Sequence, residues 1–136
     1  MIHNSKLIIY TDGGARGNPG PAAIGIIVDG EGFREYIGET TNNVAVYKAV
    51  IFALKKSLEL LGEKSRKTIL EINLDSELIA NQLKGDYRVK HENLKPLFLE
   101  CLNLMKNFKK TLFNIIPREK NTEADKLVNQ ELDLRR

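Results

Sequence analysis

The sequence predicts a single α/β domain over residues 1–136, built on a five-stranded mixed sheet with helices on both faces. Three short β-prone runs follow one another at the start of the chain with only brief turns between them, and two later β-prone runs alternate with helical patterns. Strands joined by brief turns pair antiparallel, whereas strands joined through helices favour parallel pairing by right-handed crossovers. The length suits one domain, and the predicted element order is β-β-β-α-β-α-α-β-α.

The first three predicted strands form an antiparallel meander. Residues 6–12 are apolar and β-prone without strict alternation, which is typical of a strand buried on both faces. Residues 22–28 and 32–38 are the next two β-prone runs. Asp29 and Gly30, which separate them, are a common signal for a tight hairpin turn.

The middle of the chain predicts a long helix, a strand and a short helix. Residues 44–61 repeat apolar side chains at helical spacing, and the polar run 40–43 before them supplies candidate cap residues. A β-prone run follows at residues 68–74. Ser76 is then placed to cap a short helix, which Gly85 would end because glycine readily adopts the left-handed conformation of a helix C-terminus.

The last third of the chain predicts two helices around the final strand. Residues 93–108 have an amphipathic helical pattern, with a proline only in the first turn, where it is tolerated. Residues 111–116 form the last β-prone run, and Pro117 would stop it. Asn121 is predicted to cap a terminal helix that runs to about residue 134.

Two aspartates stand where neighbouring parallel strands would end. Asp12 follows the first apolar run and leads into a glycine-rich segment, and Asp75 follows the run at residues 68–74. If these strands are neighbours, both carboxylates meet at one edge of the sheet, where open α/β sheets bind ligands. Two adjacent carboxylates are costly unless a cation or a proton neutralises them. The pattern therefore indicates a site for a hard divalent cation, with simple turn formation as the alternative for each aspartate alone.

Composition and charge narrow the class of protein further. The net charge is +3, which is compatible with a polyanionic partner. Basic residues cluster in three places, each of which is either a solvated face or a set of phosphate contacts: Lys64, Arg66 and Lys67; Lys84, Arg88 and Lys90; Lys106, Lys109 and Lys110. A single cysteine excludes an internal disulfide, and without a membrane-length apolar stretch or a signal peptide we expect a soluble, cytoplasmic protein.

Four segments of the chain together resemble type I ribonuclease H, particularly its compact archaeal and bacterial forms without a basic protrusion. They are residues 10–21 (YTDGGARGNPGP), 40–45 (TTNNVA), 74–90 (LDSELI to GDYRVK) and 117–125 (PREKNTEAD). They occur in the family's order and at its approximate spacing over nearly the whole chain. The resemblance implies a ribonuclease H-like fold and endonucleolytic cleavage of the RNA strand of RNA–DNA hybrids, with two Mg²⁺ or Mn²⁺ ions per site and no obligatory protein partner.

The resemblance also implies roles for particular residues. Asp12 would bridge both metal ions, Asp125 would help to hold the ion that activates the attacking water, and Asp75 would help to hold the ion at the leaving oxygen. Arg118 stands where many members have a histidine, and it is either a phosphate-stabilising residue or a plain surface arginine. Contact with the hybrid is implied for Gly13, Gly14, Asn18, Thr41, Asn42 and Asn43, and the alternative for the asparagines is a role in turns and caps only.

One position departs from the family pattern. The third residue after the two asparagines is a glutamate in the family, and it ligates a metal ion there; in this chain it is Val46, which cannot coordinate Mg²⁺. Glu39 and Glu77 are near in sequence, but neither occupies the helical position. We therefore expect weakened binding of the second ion and impaired cleavage. Two alternatives are open: an inactive module that binds hybrid or double-stranded RNA, and a different nuclease on the same fold.

Overall fold

The computed structural model describes residues 5–135 and contains one five-stranded sheet with helices on both faces. The strands are β1 (Ser5–Ala15), β2 (Gly20–Val28), β3 (Glu31–Thr40), β4 (Thr68–Leu74) and β5 (Lys110–Ile115). The helices are α1 (Asn42–Leu61), α2 (Glu77–Lys84), α3 (Lys95–Met105) and α4 (Thr122–Asp133), and single 3₁₀ segments occupy Gly62–Lys67 and Arg118–Lys120. The predicted order of strands and helices is confirmed.

The sheet has the predicted mixed topology. Its strand order is β3-β2-β1-β4-β5, with antiparallel pairing among β1, β2 and β3 and parallel pairing of β1 with β4 and of β4 with β5. Asp29 and Gly30 both have positive φ angles, 51° and 82°, as the tight turn between β2 and β3 requires. The C-terminal ends of β1 and β4 therefore lie side by side.

The prediction that the first strand is buried on both faces was wrong. Leu7, Ile9 and Thr11 of β1 are buried against α1, but Ile8 on the opposite face is 46% exposed. On that face α4 packs on β2 and β3 and reaches only part of β1. An apolar run can thus be an ordinary one-sided strand when its second face is only partly covered.

Element boundaries differ from the predictions at several ends. Strand β1 continues three residues beyond Asp12, because residues 13–15 pair with β2. Helix α3 covers Lys95–Met105 rather than residues 93–108. Thr41 caps α1 by accepting a hydrogen bond from the Val44 amide, and Ser76 caps α2 in the same way, as expected. Asn121 precedes α4, but its side chain makes no capping bond.

Two glycines in the centre of the sheet let the helices approach it closely. A Cβ on Gly13 would collide with the Ala45 carbonyl of α1, and a Cβ on Gly25 would collide with the Ala124 carbonyl of α4. Gly25 is the direct cross-strand partner of Asp12. The backbones of both helices are therefore seated on the sheet beside Asp12, one on each face.

The helices complete the hydrophobic core. None of the helices within residues 5–135 is long and apolar enough to cross a bilayer. Tyr47 and Leu54 of α1 are fully buried against Ile9 and Ile72 of the sheet. The side chain of Cys101 in α3 is buried as well. The core thus fixes α1 over β1, which determines where the first residues of α1 lie.

Candidate functional site

The three aspartates of the sequence prediction line one open cleft of about 350 Å³ at the end of the sheet. Asp12 lies in β1 just beyond the last parallel pair with β4, and Asp75 is the first residue after β4. Asp125 is in the first turn of α4. Side chains from strand β1, from the residue after β4 and from helix α4, separated by up to 113 positions in the sequence, therefore line the same cleft.

The electrostatics of the cleft centre on Asp12. Burial, the negative charge of Asp75 and a hydrogen bond with Asp125 together raise the pKa of Asp12 from 3.8 to about 8. The backbone amide of Gly13 opposes this effect only in part. Close carboxylates in a poorly solvated place hold a proton in this way unless a cation takes its place, so the cleft attracts positive charge.

Asn121 ties the two strand ends together. Its side-chain nitrogen donates a hydrogen bond to the Thr11 carbonyl at 2.9 Å and another to a carboxylate oxygen of Asp75 at 3.1 Å. The backbone carbonyl of Asn121 also accepts a hydrogen bond from the backbone amide of Asp125 at 3.1 Å. Asn121 is 1% exposed. It therefore bonds directly to Asp75 and Asp125, and to Thr11, the residue before Asp12. The sequence suggested only a helix cap here, because both side-chain partners are distant in the chain.

Val46 forms part of the cleft wall between Asp12 and the start of α1. It is 7% exposed, and its backbone nitrogen lies within 2.8 Å of where a Cβ on Gly13 would stand. Neither Glu39 nor Glu77 lines the cleft, and both are exposed. Of the two α1 residues that line the cleft, Asn42 is an amide and Val46 is apolar, and neither Glu39 nor Glu77 supplies a carboxylate there.

Two arginines border the acidic cleft. Arg118 lines it from the 3₁₀ segment that precedes α4, as the sequence predicted, and it is exposed. Arg16 lines it from the other side, where its guanidinium contacts Asp133 at 2.8 Å and Asn129 at 3.3 Å. Arg16 was not among the predicted site residues, because the glycine-rich segment by itself does not show which side chains face the cleft.

A second, polar pocket of about 430 Å³ gathers the predicted hybrid-contacting residues Asn18, Thr41, Asn42 and Asn43. Asn18 accepts a hydrogen bond from the Asn42 amide at 2.9 Å, and the side-chain oxygen of Asn42 accepts one from the Ala15 amide at 3.3 Å. Both side-chain oxygens are thus engaged within the protein, whereas neither side-chain NH₂ group donates a hydrogen bond to another residue within 5–135, so both remain potential donors.

This pocket is completed by residues that the sequence did not indicate. His91 and Asn93, in the turn before α3, face the asparagines across the pocket. Gly13 and Gly14 lie in the first cleft instead, and Asn42 lines both. The predicted site residues therefore form two adjoining depressions, one acidic and one neutral.

The donor groups of the cleft fit a hard divalent cation. Carboxylate oxygens are the ligands that Mg²⁺ and Mn²⁺ prefer, and the proton that Asp12 retains near neutral pH marks an unmet need for positive charge. Within residues 5–135, no group of three or more histidine, cysteine, aspartate or glutamate side chains is arranged to hold a metal ion as it stands. The fit to a cation therefore rests on the oxygen chemistry of the three aspartates and on their place in one cleft, and not on a preassembled set of ligands.

Comparison with known proteins connects this geometry to a family. Residues 10–131 match the family described as reverse transcriptase-like. The bifunctional protein Rv2228c of Mycobacterium tuberculosis is 35% identical over 135 residues, which are 94% of this chain and 36% of that protein. Ribonuclease HI of Halobacterium salinarum is 35% identical over 130 residues, 91% of this chain and 63% of the relative. The chain thus spans about a third of the first curated relatives that it matches.

Solved structures agree with the sequence relatives. LC11-RNase H1, isolated from compost and solved in complex with an RNA/DNA hybrid, superposes with a TM-score of 0.87 at 46% identity, covering 93% of this chain and 96% of that one. The N-terminal RNase H domain of Rv2228c superposes with a TM-score of 0.87 at 34% identity, covering 96% and 95%. The five-stranded sheet and its helices are therefore a ribonuclease H fold.

Proposed function

The chain belongs to the reverse transcriptase-like family, within its ribonuclease H group, and from this membership we propose that it hydrolyses the RNA strand of RNA–DNA hybrids by a two-metal-ion mechanism. The observation that carries the proposal is the convergence of Asp12, Asp75 and Asp125 in one cleft, where burial and the other two carboxylates raise the pKa of Asp12 to about 8. Relatives named ribonuclease H and the hybrid bound to LC11-RNase H1 support the choice of substrate.

The three aspartates would hold the ions. Asp12 is assigned as the shared ligand because it interacts with both of the other carboxylates. When bound, the two ions supply an activated water and stabilise charge on the leaving oxygen. Asn121 holds one oxygen of Asp75 in a fixed direction, and Arg118 is placed to contact a phosphate at the edge of the cleft.

Recognition of the RNA strand is assigned to the second pocket. The side-chain oxygens of Asn18 and Asn42 are occupied by backbone amides of the protein, so these residues offer NH₂ donors to the substrate. The sugar 2′-hydroxyl, which distinguishes RNA from DNA, can accept such a bond. Thr41 and Asn43 line the same pocket and would extend the contact.

Val46 is the reason to propose an impaired enzyme. It lies in the cleft wall beside Gly13 and offers no oxygen ligand. We propose that Val46 weakens binding of the second metal ion. Loss of one ligand would lower the cleavage rate roughly 10²–10⁴-fold. The same observation favours a second candidate function, an inactive module that binds hybrid or double-stranded RNA through the intact asparagine pocket.

The test is cleavage of a labelled RNA–DNA hybrid in Mg²⁺ and in Mn²⁺, with the chain, Val46→Glu, Val46→Gln and Asp12→Asn compared. The proposal expects slow cleavage by the unaltered chain, with a higher rate in Mn²⁺ than in Mg²⁺. Val46→Glu should raise the cleavage rate strongly and Val46→Gln should raise it less. Asp12→Asn should show no cleavage. Tight binding without cleavage, even in Val46→Glu, would establish the binding module. Full family-like rates in the unaltered chain would refute the impairment, and turnover in Asp12→Asn would refute its role as a ligand.

A further inference from the structure

Two basic clusters that are far apart in the sequence lie together in the structure. The segment Gly62–Lys67 leads directly into β4, and residues 106–110 lead into β5. These strands are parallel neighbours, with Ile69 opposite Lys110, and the Lys109 amide donates to the Thr68 carbonyl at 3.0 Å. The starts of the two strands therefore bring six basic side chains to one end of the sheet. We call this surface the basic pole: Lys64, Arg66, Lys67, Lys106, Lys109 and Lys110.

The basic pole concentrates the charge of the protein. All six side chains are exposed, and Glu63 is the single acidic residue in the two segments. The two segments together carry a net charge of +5, so the rest of the chain carries −2 of the total of +3. Apart from this end, the molecule is slightly acidic.

Most of these cations form no salt bridge with another residue of the range 5–135. Within the part of the chain that the structure describes, five members of the pole form no salt bridge: Lys64, Arg66, Lys67, Lys106 and Lys110. Lys6, at the start of the adjacent strand, is by contrast paired with Glu71 at 2.8 Å. Like charges held close together repel one another. Binding of an external polyanion would reduce this repulsion within the basic pole.

The basic pole is remote from the acidic cleft. It lies at the N-terminal ends of β4 and β5, whereas Asp75 follows the C-terminal end of β4. The seven residues of β4 separate the two surfaces by about 23 Å at about 3.3 Å per residue. Contacts made at the pole are therefore additional to those of the cleft and of the asparagine pocket.

We propose that the basic pole is a second nucleic-acid-binding surface, which holds the phosphate backbone of a duplex without reading its sequence. Mobile lysine and arginine side chains are the usual contacts to duplex phosphates. Within the two segments the only aromatic residue, Phe108, is buried, so the surface has no platform on which unpaired bases could stack. It also has no exposed large apolar side chain, which insertion into a lipid surface would need.

The experiment compares two triple variants that remove the same charge. Lys106, Lys109 and Lys110 are changed to glutamine in one variant, and Lys48, Lys55 and Lys56 of α1 in the matched control. Both carry Asp12→Asn so that no substrate is cut, and thermal unfolding checks that both fold. Fluorescence anisotropy of a labelled double-stranded DNA, which is not the proposed substrate, is measured from about 50 to 200 mM salt.

The proposal expects the pole variant to bind this DNA at least about tenfold more weakly and to lose about two to three from the slope of log K against log salt, whereas the control changes by less than about twofold. Equal losses in both variants would overturn it, because they would reflect net charge alone. Unchanged DNA binding together with lost binding to phosphatidylserine vesicles would overturn it in favour of a lipid surface. Since no step requires cleavage, failure of the proposed nuclease activity would leave this result intact.

Discussion

The side-chain amide of Asn121 lies 3.1 Å from a carboxylate oxygen of Asp75 and donates a hydrogen bond to it. The same amide also donates to the Thr11 carbonyl, so one buried group joins the ends of two strands and orients a proposed metal ligand. Both partners are acceptors, and only an NH₂ donor satisfies both. Asn121 therefore acts on the cleft through Asp75 and is a positioning residue.

Asn121→Asp should weaken binding of Mn²⁺ and destabilise the fold. The new carboxylate would face two acceptors in a buried place, which costs about 2–5 kcal/mol. Calorimetric titration with Mn²⁺ and urea unfolding measure the two effects. Asn103→Asp makes the same chemical change at an exposed position of α3 and should alter neither. Unchanged Mn²⁺ affinity in folded Asn121→Asp would contradict the positioning role.

Asp12→Asn should stabilise the metal-free protein increasingly as the pH rises. The pKa of Asp12 is raised from 3.8 to about 8 in the folded protein by burial and by Asp75 and Asp125. Between these values the unfolded chain has released a proton that the folded chain retains, so the free energy of unfolding falls with rising pH by up to about 1.4 kcal/mol per pH unit. The contribution of the protonated Asp12 is complete below about pH 4 and lost as pH rises through about 8.

Urea unfolding in EDTA at several pH values measures this difference between the unaltered chain and Asp12→Asn. The two stabilities should diverge from pH 4 to pH 8 and then run parallel. Asp86→Asn, an exposed aspartate in the turn after α2, serves as the control and should follow the unaltered chain. A difference that does not change with pH would show that Asp12 titrates in its ordinary range.

Val46→Glu should lower the stability of the metal-free protein and make that stability sensitive to Mg²⁺. The new side chain would add a fourth carboxylate to the wall of the cleft beside Gly13, and a poorly solvated like charge costs a few kcal/mol. Thermal unfolding with EDTA and with Mg²⁺ measures the effect. Val46→Gln keeps the shape without the charge and should show a much smaller Mg²⁺ response; equal responses would place residue 46 outside the metal site.

Gly13→Ala and Gly14→Ala should differ sharply although the residues are adjacent in β1. A Cβ at position 13 would collide with the Ala45 carbonyl, whereas one at position 14 would meet its nearest neighbours at 3.6 and 3.7 Å, which is ordinary contact. We expect a loss of about 2–4 kcal/mol in Gly13→Ala and little change in Gly14→Ala, measured by urea unfolding. Similar stabilities would mean that α1 is not seated on Gly13.

Asn42→Asp should weaken hybrid binding while leaving the fold intact. An aspartate retains an oxygen for the Ala15 amide but loses the NH₂ donor that we assign to the RNA strand, and it adds a negative charge opposite phosphates. We expect at least about tenfold weaker hybrid binding, a loss of about 1.4 kcal/mol or more, with an unchanged melting temperature. Anisotropy titration in the Asp12→Asn background measures the affinity, and a lowered melting temperature would indicate a structural role instead.

The sequence was sufficient for those features that depend on local signals and chain connectivity. The turn at Asp29 and Gly30 and the helical crossovers implied the strand pairing, and this pairing placed Asp12 next to Asp75. Features that depend on long-range contacts were missed. The partners of Asn121 lie 110 and 46 positions away, and no local pattern reveals such contacts. The one-sided burial of β1 was missed for the same reason, since it depends on how far α4 extends across the sheet.

The opposed positions of the basic pole and the acidic cleft give the molecule an electric dipole that runs along the strands. In the field of a nucleic acid such a molecule turns its positive end toward the phosphates before contact is made. First encounters would then bring the basic pole, which lies opposite to the cleft, against the nucleic acid. Cleavage would require either a second duplex segment in the cleft or a reorientation of the protein after this first contact. An enzyme impaired in the way that we propose would gain from this order of events, because a molecule that is already anchored remains near its substrate between attempts.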